Sequence, residues 1–295
     1  MKHAYLLLVH KNTKVLETLI DMVDDERNDI YIHVDGSQDI EQFYYIKNKV
    51  QFANVIFIQN RYNISWGSFE MVKAELELIN QAVTSSQPYS FLHLLSGADL
   101  PIKSQDYIHK FFSENKQNIF IEVWNNGEEN LDFYLDRYKY YEIMRMKDRR
   151  FISRFFYHLI RKLSISFQKI MRVNRIKKNG VSIYLGSQWF SIPEDFGKIL
   201  LNSSESITTI YKDTLVPDES FIQTLALSNG FNDDLFKVEG ISTNMRQIVF
   251  EDGKPKVWTM NDYPMMSNSK RLFARKFDEK VDSQIIKKIK EEFGK

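Results

Sequence analysis

Residues 3–37 read HAYLLLVHKNTKVLETLIDMVDDERNDIYIHVDGS, and this stretch decides the fold. Two short apolar runs, residues 3–9 and 28–34, flank VLETLIDMV, which has the spacing of a helix. A strand, a helix and a second strand in this order form the opening unit of a parallel sheet. His10 follows the first strand and Asp35 the second, at the strand ends where open α/β sheets bind ligands. An aspartate there can hold a ribose or a base edge, or simply make a turn before the next glycine.

The same alternation continues along the next hundred residues. Residues 54–59 and 91–95 have the pattern of strands, and residues 69–83 that of a helix with one apolar face. Asp99 follows the second of these strands on a tight turn, a position that turn formation alone can explain. Residues 118–124 have the pattern of a further strand. The chain therefore predicts an α/β fold with a mainly parallel central sheet flanked by helices.

The composition is that of a folded protein with an uneven charge distribution. The chain has 295 residues, 43% of them hydrophobic, which is enough for a substantial core. It contains no internal repeat and no long Gly/Pro/Ser linker, so we expect a single domain over residues 1–295. The formal net charge is +1, yet residues 149–178 contain ten Lys/Arg and no Asp/Glu, which leaves −9 on the remainder.

Residues 149–178 form a basic segment in which apolar residues recur at helical spacing. A helix of this kind binds an anionic membrane or phosphate-rich nucleic acid. The alternative is a solvated insertion that packs its apolar face on its own domain. We predict a basic amphipathic helical insertion that contacts an anionic membrane and no nucleic acid.

The sequence also excludes several kinds of site. Because the chain has no cysteine, it has no disulfide framework, no thiolate metal site and no cysteine nucleophile. The longest early apolar run, residues 4–9, is too short for a signal peptide or a membrane span. The expected location is therefore the cytoplasm, with peripheral contact at the inner face of the cell membrane through the basic segment.

Residues 211–230 read YKDTLVPDESFIQTLALSNG and place Asp218 and Glu219 behind a proline, at the start of a predicted helix that ends at Gly230. Adjacent residues point to different sides, so the two are a poor fit to the facing carboxylate pair of a glycosidase. We predict that Asp218 caps the helix and stays ionised. Its charge raises the proton affinity of Glu219 while the helix terminus lowers it, which leaves Glu219 as a base. The alternative is an ordinary acidic helix terminus.

Taken in order, seven segments resemble the core-2/I-branching family of β-1,6-N-acetylglucosaminyltransferases and its xylosyltransferase relatives. The segments are VHKN (9–12), YIHVD (31–35), ISWGSFEMVKAELELI (64–79), FLHLLSGADLPIKS (91–104), GSQWFSI (186–192), LVPDESFIQTL (215–225) and LFARKFD (272–278). The resemblance covers most of the chain. It implies a single GT-A-like domain, a nucleotide-sugar donor and inversion at the anomeric carbon.

The resemblance also implies roles for individual residues. The family's catalytic base falls on Glu219, the lysine that meets the donor diphosphate on Lys276, and the aspartate near the nucleoside on Asp35. Its acceptor-binding glutamate and arginine align with Glu122 and Arg137. The remaining assignments are donor contacts from His10, Trp66, Asp99 and Arg246, and an acceptor contact from Trp189.

The chain departs from the family's pattern in three ways. The second diphosphate-binding cation, an arginine, has no clear counterpart, and Arg246, Lys254 and Lys256 compete for that role. The cysteines and the membrane anchor of the animal enzymes are absent. The basic segment replaces a region for which the animal enzymes offer no equivalent, which leaves the acceptor's identity open.

The chemistry expected from the residues agrees with the resemblance. Transfer of a sugar to a hydroxyl needs a base for a weakly acidic proton and positive charge for a departing diphosphate. Glu219 and Lys276 supply these groups. The chain has no two aspartates two residues apart, so it lacks the Asp-x-Asp motif with which many nucleotide-sugar enzymes hold a metal. We therefore expect neither a metal nor a cofactor.

These observations predict an inverting glycosyltransferase. It moves N-acetylglucosamine, or a related sugar such as glucose or xylose, from a UDP-sugar to a hydroxyl of a glycan acceptor. The expected acceptor is a cell-surface or capsular glycan on a lipid carrier. Two alternatives stay open: a nucleotide-sugar hydrolase on the same fold, and a non-enzymatic basic module that binds membrane or nucleic acid.

Overall fold

The computed structural model of the protein describes residues 2–124, 131–142 and 154–294. Its strands are β1 (His3–Val9), β2 (Asn28–Val34), β3 (Asn54–Phe57), β4 (Phe91–Ser96), β5 (Asp99–Pro101), β6 (Ser191–Pro193), β7 (Lys237–Val238), β8 (Ile241–Ser242), β9 (Arg246–Ile248), β10 (Phe250–Glu251), β11 (Lys254–Pro255) and β12 (Phe273–Arg275). Its α-helices are α1 (Lys14–Val23), α2 (Phe69–Val83), α3 (Gln105–Glu114), α4 (Leu131–Lys139), α5 (Arg154–Ile170), α6 (Arg175–Asn179), α7 (Glu194–Asn202), α8 (Ser204–Tyr211), α9 (Phe221–Ser228), α10 (Tyr263–Ser267) and α11 (Ser283–Phe293).

A five-stranded sheet in the order β3-β2-β1-β4-β6 forms the centre of the protein. The first four strands are parallel, and β6 runs antiparallel to β4. Every residue of β1 and β2 is buried, which explains why both strands are nearly continuous apolar runs. The predicted α/β class with a mainly parallel sheet is confirmed.

The two faces of the sheet carry separate hydrophobic clusters because alternate residues of a strand point to opposite sides. Tyr5, Leu7 and Val9 of β1 belong to a cluster that includes apolar residues of α1, α3 and α11. Ala4 and Leu6 belong to a second cluster, formed with residues of α2, α7 and α9. Helices therefore cover both faces of the sheet.

The carboxyl ends of β1, β2 and β4 lie at one edge of the sheet, because the three strands are parallel. His10 follows β1, Asp35 follows β2, and Ser96 ends β4. The chain adds β2 and β3 on one side of β1 and then places β4 on the other, so the crevice between β1 and β4 is a topological switch point.

A smaller sheet, in the order β5-β12-β9, continues from this edge. Asp99 begins β5 and pairs in register with Arg275, the last residue of β12. Asp99, which was expected on a tight turn, therefore begins a short strand, and Arg275 ends the neighbouring one.

Three local predictions differ from the structure. Residues 118–124 form only isolated bridges, because Ile119, Phe120 and Val123 pair with three different places in the chain, at residues 235, 191 and 186. The helix predicted behind the proline divides into a 3₁₀ turn, Pro217–Glu219, and α9. Within the basic segment, residues 149–153 lie outside the described residues, and α5 and α6 form the rest. Among the described helices, none is both long enough and apolar enough to cross a membrane.

Candidate active site

Glu219 lies on a backbone turn that three other segments hold in place. Val216, just before the turn, has a left-handed backbone with φ of 55°. Its N–H donates to the carbonyl of Gly67 at 2.8 Å, and its carbonyl accepts from the Tyr138 hydroxyl at 2.8 Å. The Glu219 carbonyl accepts from the N–H of Gly186 at 2.9 Å. The position of the Glu219 backbone thus depends on residues that are far apart in the sequence.

The carboxylate of Glu219 is paired with one cation and stays open to solvent. Arg137 Nη1 lies 3.3 Å from Glu219 Oε2, and the Glu219 side chain is 34% exposed. Burial raises the pKa of Glu219, and the positive charge and hydrogen bond of Arg137 oppose that rise. A carboxylate with a raised pKa, in contact with solvent, is suited to accept a proton from a hydroxyl group.

Asp218 points away from solvent, and the prediction that it caps the helix is wrong. Neither Pro217–Glu219 nor α9 has a side-chain cap, and Asp218 Oδ1 has no hydrogen-bond partner among the described residues. Burial, followed by repulsion from Glu219, raises the pKa of Asp218 to about 7. The carboxyl is therefore partly protonated near neutral pH and is not the permanently ionised group that was predicted.

A second buried carboxyl, Glu75 of α2, lies behind this turn. Burial and the nearby Asp218 raise the pKa of Glu75 well above its usual range. Gln188 donates to Glu75 Oε1 at 2.7 Å, whereas Glu75 Oε2 has no partner within the described parts of the chain. Two buried acids therefore stand behind Glu219, and only Glu219 reaches solvent.

Two aromatic rings connect Glu122 to Arg137, the other predicted acceptor contact, which pairs directly with Glu219. Trp124 Nε1 donates to Glu122 Oε1 at 3.3 Å, and the rings of Trp124 and Tyr134 lie 5.8 Å apart. The guanidinium of Arg137 lies 4.7 Å from the centre of the Tyr134 ring. The structure therefore brings Glu122, Arg137 and Glu219 into one group together with the two aromatic residues, and the acceptor-binding roles of Glu122 and Arg137 stay a prediction.

Arg275, Asp99 and Trp189 form a cationic group on the other side of the crevice. Arg275 Nη1 lies 2.7 Å from Asp99 Oδ1, and its guanidinium stacks 4.4 Å from the centre of the Trp189 ring. Asp99 also accepts from the backbone N–H and the hydroxyl of Ser96. Asp99 is thus paired with an arginine, and the ring of Trp189, a predicted acceptor contact, stacks against that arginine.

Lys276 and His10 lie beside this cationic group. Partial desolvation lowers the pKa of His10, and the charges of Lys11 and Lys276 lower it further. His10 is therefore neutral at pH 7. The Lys276 ammonium makes no hydrogen bond or ion pair with residues 2–124, 131–142 or 154–294. Its positive charge is therefore available to bind a ligand.

Asp35 connects the end of β2 to the loop that carries Trp66 through hydrogen bonds of its carboxylate. Its Oδ1 accepts from the N–H of Ser37 at 2.8 Å, and its Oδ2 accepts from the N–H of Ile64 at 2.9 Å. Trp66, two residues further on, is 65% exposed, and Gly67 then contacts the Glu219 turn. The turn-forming role of Asp35 is therefore present, and its contact with a nucleoside stays a prediction.

Arg246 is turned into the core, which removes it from the predicted donor contacts. Its guanidinium donates to the carbonyls of Leu94 and Phe190, at 3.1 and 2.6 Å, and to the Ser191 hydroxyl at 2.8 Å. Burial lowers the pKa of Arg246 to about 9. Lys256, another candidate for the second diphosphate cation, pairs with two carboxylates, those of Glu251 and Asp262.

Residues 186–190, GSQWF, join the two sides of the crevice. Gly186 holds the Glu219 backbone, Gln188 holds Glu75, and Trp189 lies under Arg275. Three residues of this site were not predicted from the sequence, although each lies in a segment that carries the resemblance: Glu75, Gln188 and Arg275. Arg275 stands next to Lys276 in LFARKFD, and that adjacency was the available signal. No group of three or more potential metal-ligating side chains occurs in the described parts of the chain.

Comparison with known proteins places the chain in a family. Residues 3–249 match the sequence profile described as "Core-2/I-Branching enzyme". The chain belongs to this family. The resemblance inferred from the sequence is therefore confirmed.

Relatives of this core-2/I-branching family member include two kinds of transferase. The chain is 23% identical over 320 residues to a Danio rerio β-1,3-galactosyl-O-glycosyl-glycoprotein β-1,6-N-acetylglucosaminyltransferase 4, covering 98% of this chain and 68% of that protein. It is 23% identical over 301 residues to a Ciona intestinalis xylosyltransferase, covering 96% of this chain and 33% of that protein. The chain thus spans about two thirds of the first relative and a third of the second. Mouse xyloside xylosyltransferase 1, in its apo form, shares 10% identity at a TM-score of 0.34, over 80% of this chain and 84% of that one, a likeness too slight to carry an argument.

Proposed function

We propose that the protein is an inverting glycosyltransferase that moves a sugar from a UDP-sugar to a hydroxyl of a glycan acceptor, with Glu219 as the general base. Its glycosyltransferase activity follows from its family and from its named relatives. The observation that carries the finer proposal is Glu219, a solvent-accessible carboxylate paired with Arg137 at the edge of the sheet where parallel strands end.

Glu219 removes the proton of the acceptor hydroxyl as that oxygen attacks the anomeric carbon. The new carbon–oxygen bond forms while the bond to the donor phosphate breaks, so a single displacement inverts the configuration. Burial raises the proton affinity of Glu219, which strengthens it as a base, and Arg137 keeps it ionised before the reaction. Glu122 and Trp124, linked to Arg137 through Tyr134, provide polar and aromatic groups for a sugar ring on this side.

Lys276 stabilises the departing diphosphate. Charge develops on the phosphate oxygens as the glycosidic bond breaks, and a cation already in place lowers the barrier. The unpaired ammonium of Lys276 is suited to this role, whereas Arg275 of the same motif is paired with Asp99 and Arg246 is turned into the core. We therefore propose that transfer needs no divalent metal and no cofactor.

The proposed donor sugar is N-acetylglucosamine or a related sugar such as xylose or glucose. Relatives named as β-1,6-N-acetylglucosaminyltransferase and xylosyltransferase support this range. We propose a cell-surface or capsular glycan on a lipid carrier as the acceptor, and a single GT-A-like domain as the catalytic unit.

Thermal-shift screening of UDP- and GDP-sugars tests the proposal. A donor at 100 times its dissociation constant adds roughly 2.7 kcal/mol of stability, which raises the melting temperature measurably. We expect a UDP-sugar to stabilise the protein, and Lys276→Ala to weaken that effect. Radiolabelled sugar from the stabilising donor should then appear on an added glycan. Release of free sugar at the same rate with and without acceptor would identify a hydrolase, and no stabilisation by any nucleotide sugar would contradict the proposal.

A further inference from the structure

Helix α5 turns its polar side towards the protein. Gln168 is buried and makes two hydrogen bonds to the backbone of Tyr141, one to the carbonyl at 2.9 Å and one from the N–H at 2.7 Å. Arg161, on the same side of the helix, pairs with Glu142 at 2.8 Å. Polar groups therefore fix α5 to the body of the protein.

The apolar residues of α5 point to solvent. Leu163, Phe167 and Ile170 are 61%, 64% and 78% exposed, and Leu159 and Ile160 are exposed beside them. Their spacing of three, four and seven residues places them on one side of the helix. In α2 and α11 the corresponding apolar side is buried against the sheet, as is usual for helices of a globular protein. The orientation of α5 is the reverse, and it leaves an apolar surface that the described residues do not cover.

Exposed cations lie on α5 and just after it. The basic segment contains no Asp or Glu, and the exposed residues around the helix include Lys162, Arg172, Lys177 and Lys178. A second copy of the chain would bring two such sets of like charges together, which opposes dimerisation through this face. Nucleic acid would neutralise the cations and leave the apolar side chains in water. An anionic lipid surface accommodates both groups, because its headgroups meet the cations and its acyl chains accept the apolar side chains.

We propose that α5 lies in the plane of an anionic membrane, with Leu163, Phe167 and Ile170 among the acyl chains and the polar side fixed to the protein. The helix has 17 residues, so it extends along the surface for about 25 Å. This docking would hold the enzyme where lipid-linked glycans are found, although the contact itself does not depend on the proposed transferase activity.

Vesicle flotation with the full chain tests the docking. Phosphatidylcholine vesicles with and without phosphatidylglycerol are compared at about 50 mM and about 500 mM salt. We expect binding to the anionic vesicles, weakened at high salt. The variant Leu163→Ser/Phe167→Ser should lower the partition coefficient at least about tenfold, since it removes two side chains that enter the acyl region. Lys162→Gln/Arg172→Gln should lower binding to anionic vesicles and reduce its salt dependence.

The matched control is Phe52→Ser/Val281→Ser, which removes one aromatic and one aliphatic side chain of similar exposure elsewhere on the surface. This control should bind as the wild type does, and all variants should keep the wild-type melting temperature. Absence of binding, equal binding to neutral vesicles, or equal loss in the control would overturn the proposal. A dimer in solution that Leu163→Ser/Phe167→Ser dissociates would also overturn it, because the face would then be an interface between copies.

Discussion

Replacing Gly186 by alanine should displace the backbone of both Glu122 and Glu219, two residues of the candidate active site. A Cβ at this position would overlap the carbonyl oxygen of Glu122 and would lie 2.8 Å from both the Glu122 carbonyl carbon and Gln223 Nε2. Ordinary non-bonded contact is about 3.5–4.0 Å, and the overlap with the Glu122 oxygen is the deepest, so the two backbone segments would have to separate by roughly 1.5 Å. Backbone cannot move aside as the end of a flexible side chain can.

The cost can be estimated from the bonds that this movement would break. Gly186 donates to the Glu219 carbonyl at 2.9 Å, Trp124 donates to the Leu185 carbonyl at 2.8 Å, and Gln223 donates to the Ser187 carbonyl at 2.7 Å. Two or three hydrogen bonds, at about 1 kcal/mol each, together with overpacking of about 1–3 kcal/mol, give a loss of roughly 3–6 kcal/mol.

Urea denaturation of Gly186→Ala measures this loss, and the transfer rate measures the displacement of Glu219. The matched control is Gly230→Ala. Gly230 has φ of 82° and no atom within 4 Å of its would-be Cβ, so only backbone strain of about 1–2 kcal/mol is expected, with no change in activity. If Gly186→Ala were as stable and as active as the control, the close approach of residues 122 and 186 would be refuted.

Three further predictions concern the chemistry. Arg137→Gln removes the charge that opposes the rise in the pKa of Glu219, so this pKa should rise further. The acid limb of the kcat/KM profile, where the base becomes protonated, should therefore move to higher pH. An acid limb that does not move would show that another group titrates there. Lys276→Ala should weaken donor binding and slow transfer together. Lys270 is an exposed neighbour, and Lys270→Ala should change neither quantity. Equal effects of the two substitutions would show that Lys276 does not contact the donor. The initial rate of metal-stripped protein should be the same in excess EDTA and in added Mn²⁺ or Mg²⁺, and activity restored only by Mn²⁺ would make Asp99 a ligand.

The sequence predicts those features that depend on local pattern. The runs in β1 and β2 are continuous because parallel strands are buried on both faces, and this made the sheet and the positions of His10 and Asp35 readable. The predicted helix at residues 69–83 is α2, whose apolar residues pack on the sheet as their spacing requires.

The features that the sequence did not predict depend on residues far apart in the chain. Asp218 was expected to cap a helix, but α2 brings Glu75 against it and both carboxyls become buried. Arg246 was expected to face a ligand, but carbonyls from residues 94 and 190 receive its guanidinium in the core. Arg275 was not assigned because its partner, Asp99, joins it only through pairing of β5 with β12. Local spacing contains no information on such contacts.

The central claim, that Glu219 is the base, is tested most directly by the turnover of Glu219→Gln. The amide keeps the shape of the side chain and removes the proton acceptor, while Lys276 and Asp35 stay in place for the donor. Turnover should fall by about 10²-fold or more, and the thermal stabilisation by the donor sugar should stay at the wild-type value. Near-normal turnover in Glu219→Gln would show that another group accepts the proton and would contradict the claim.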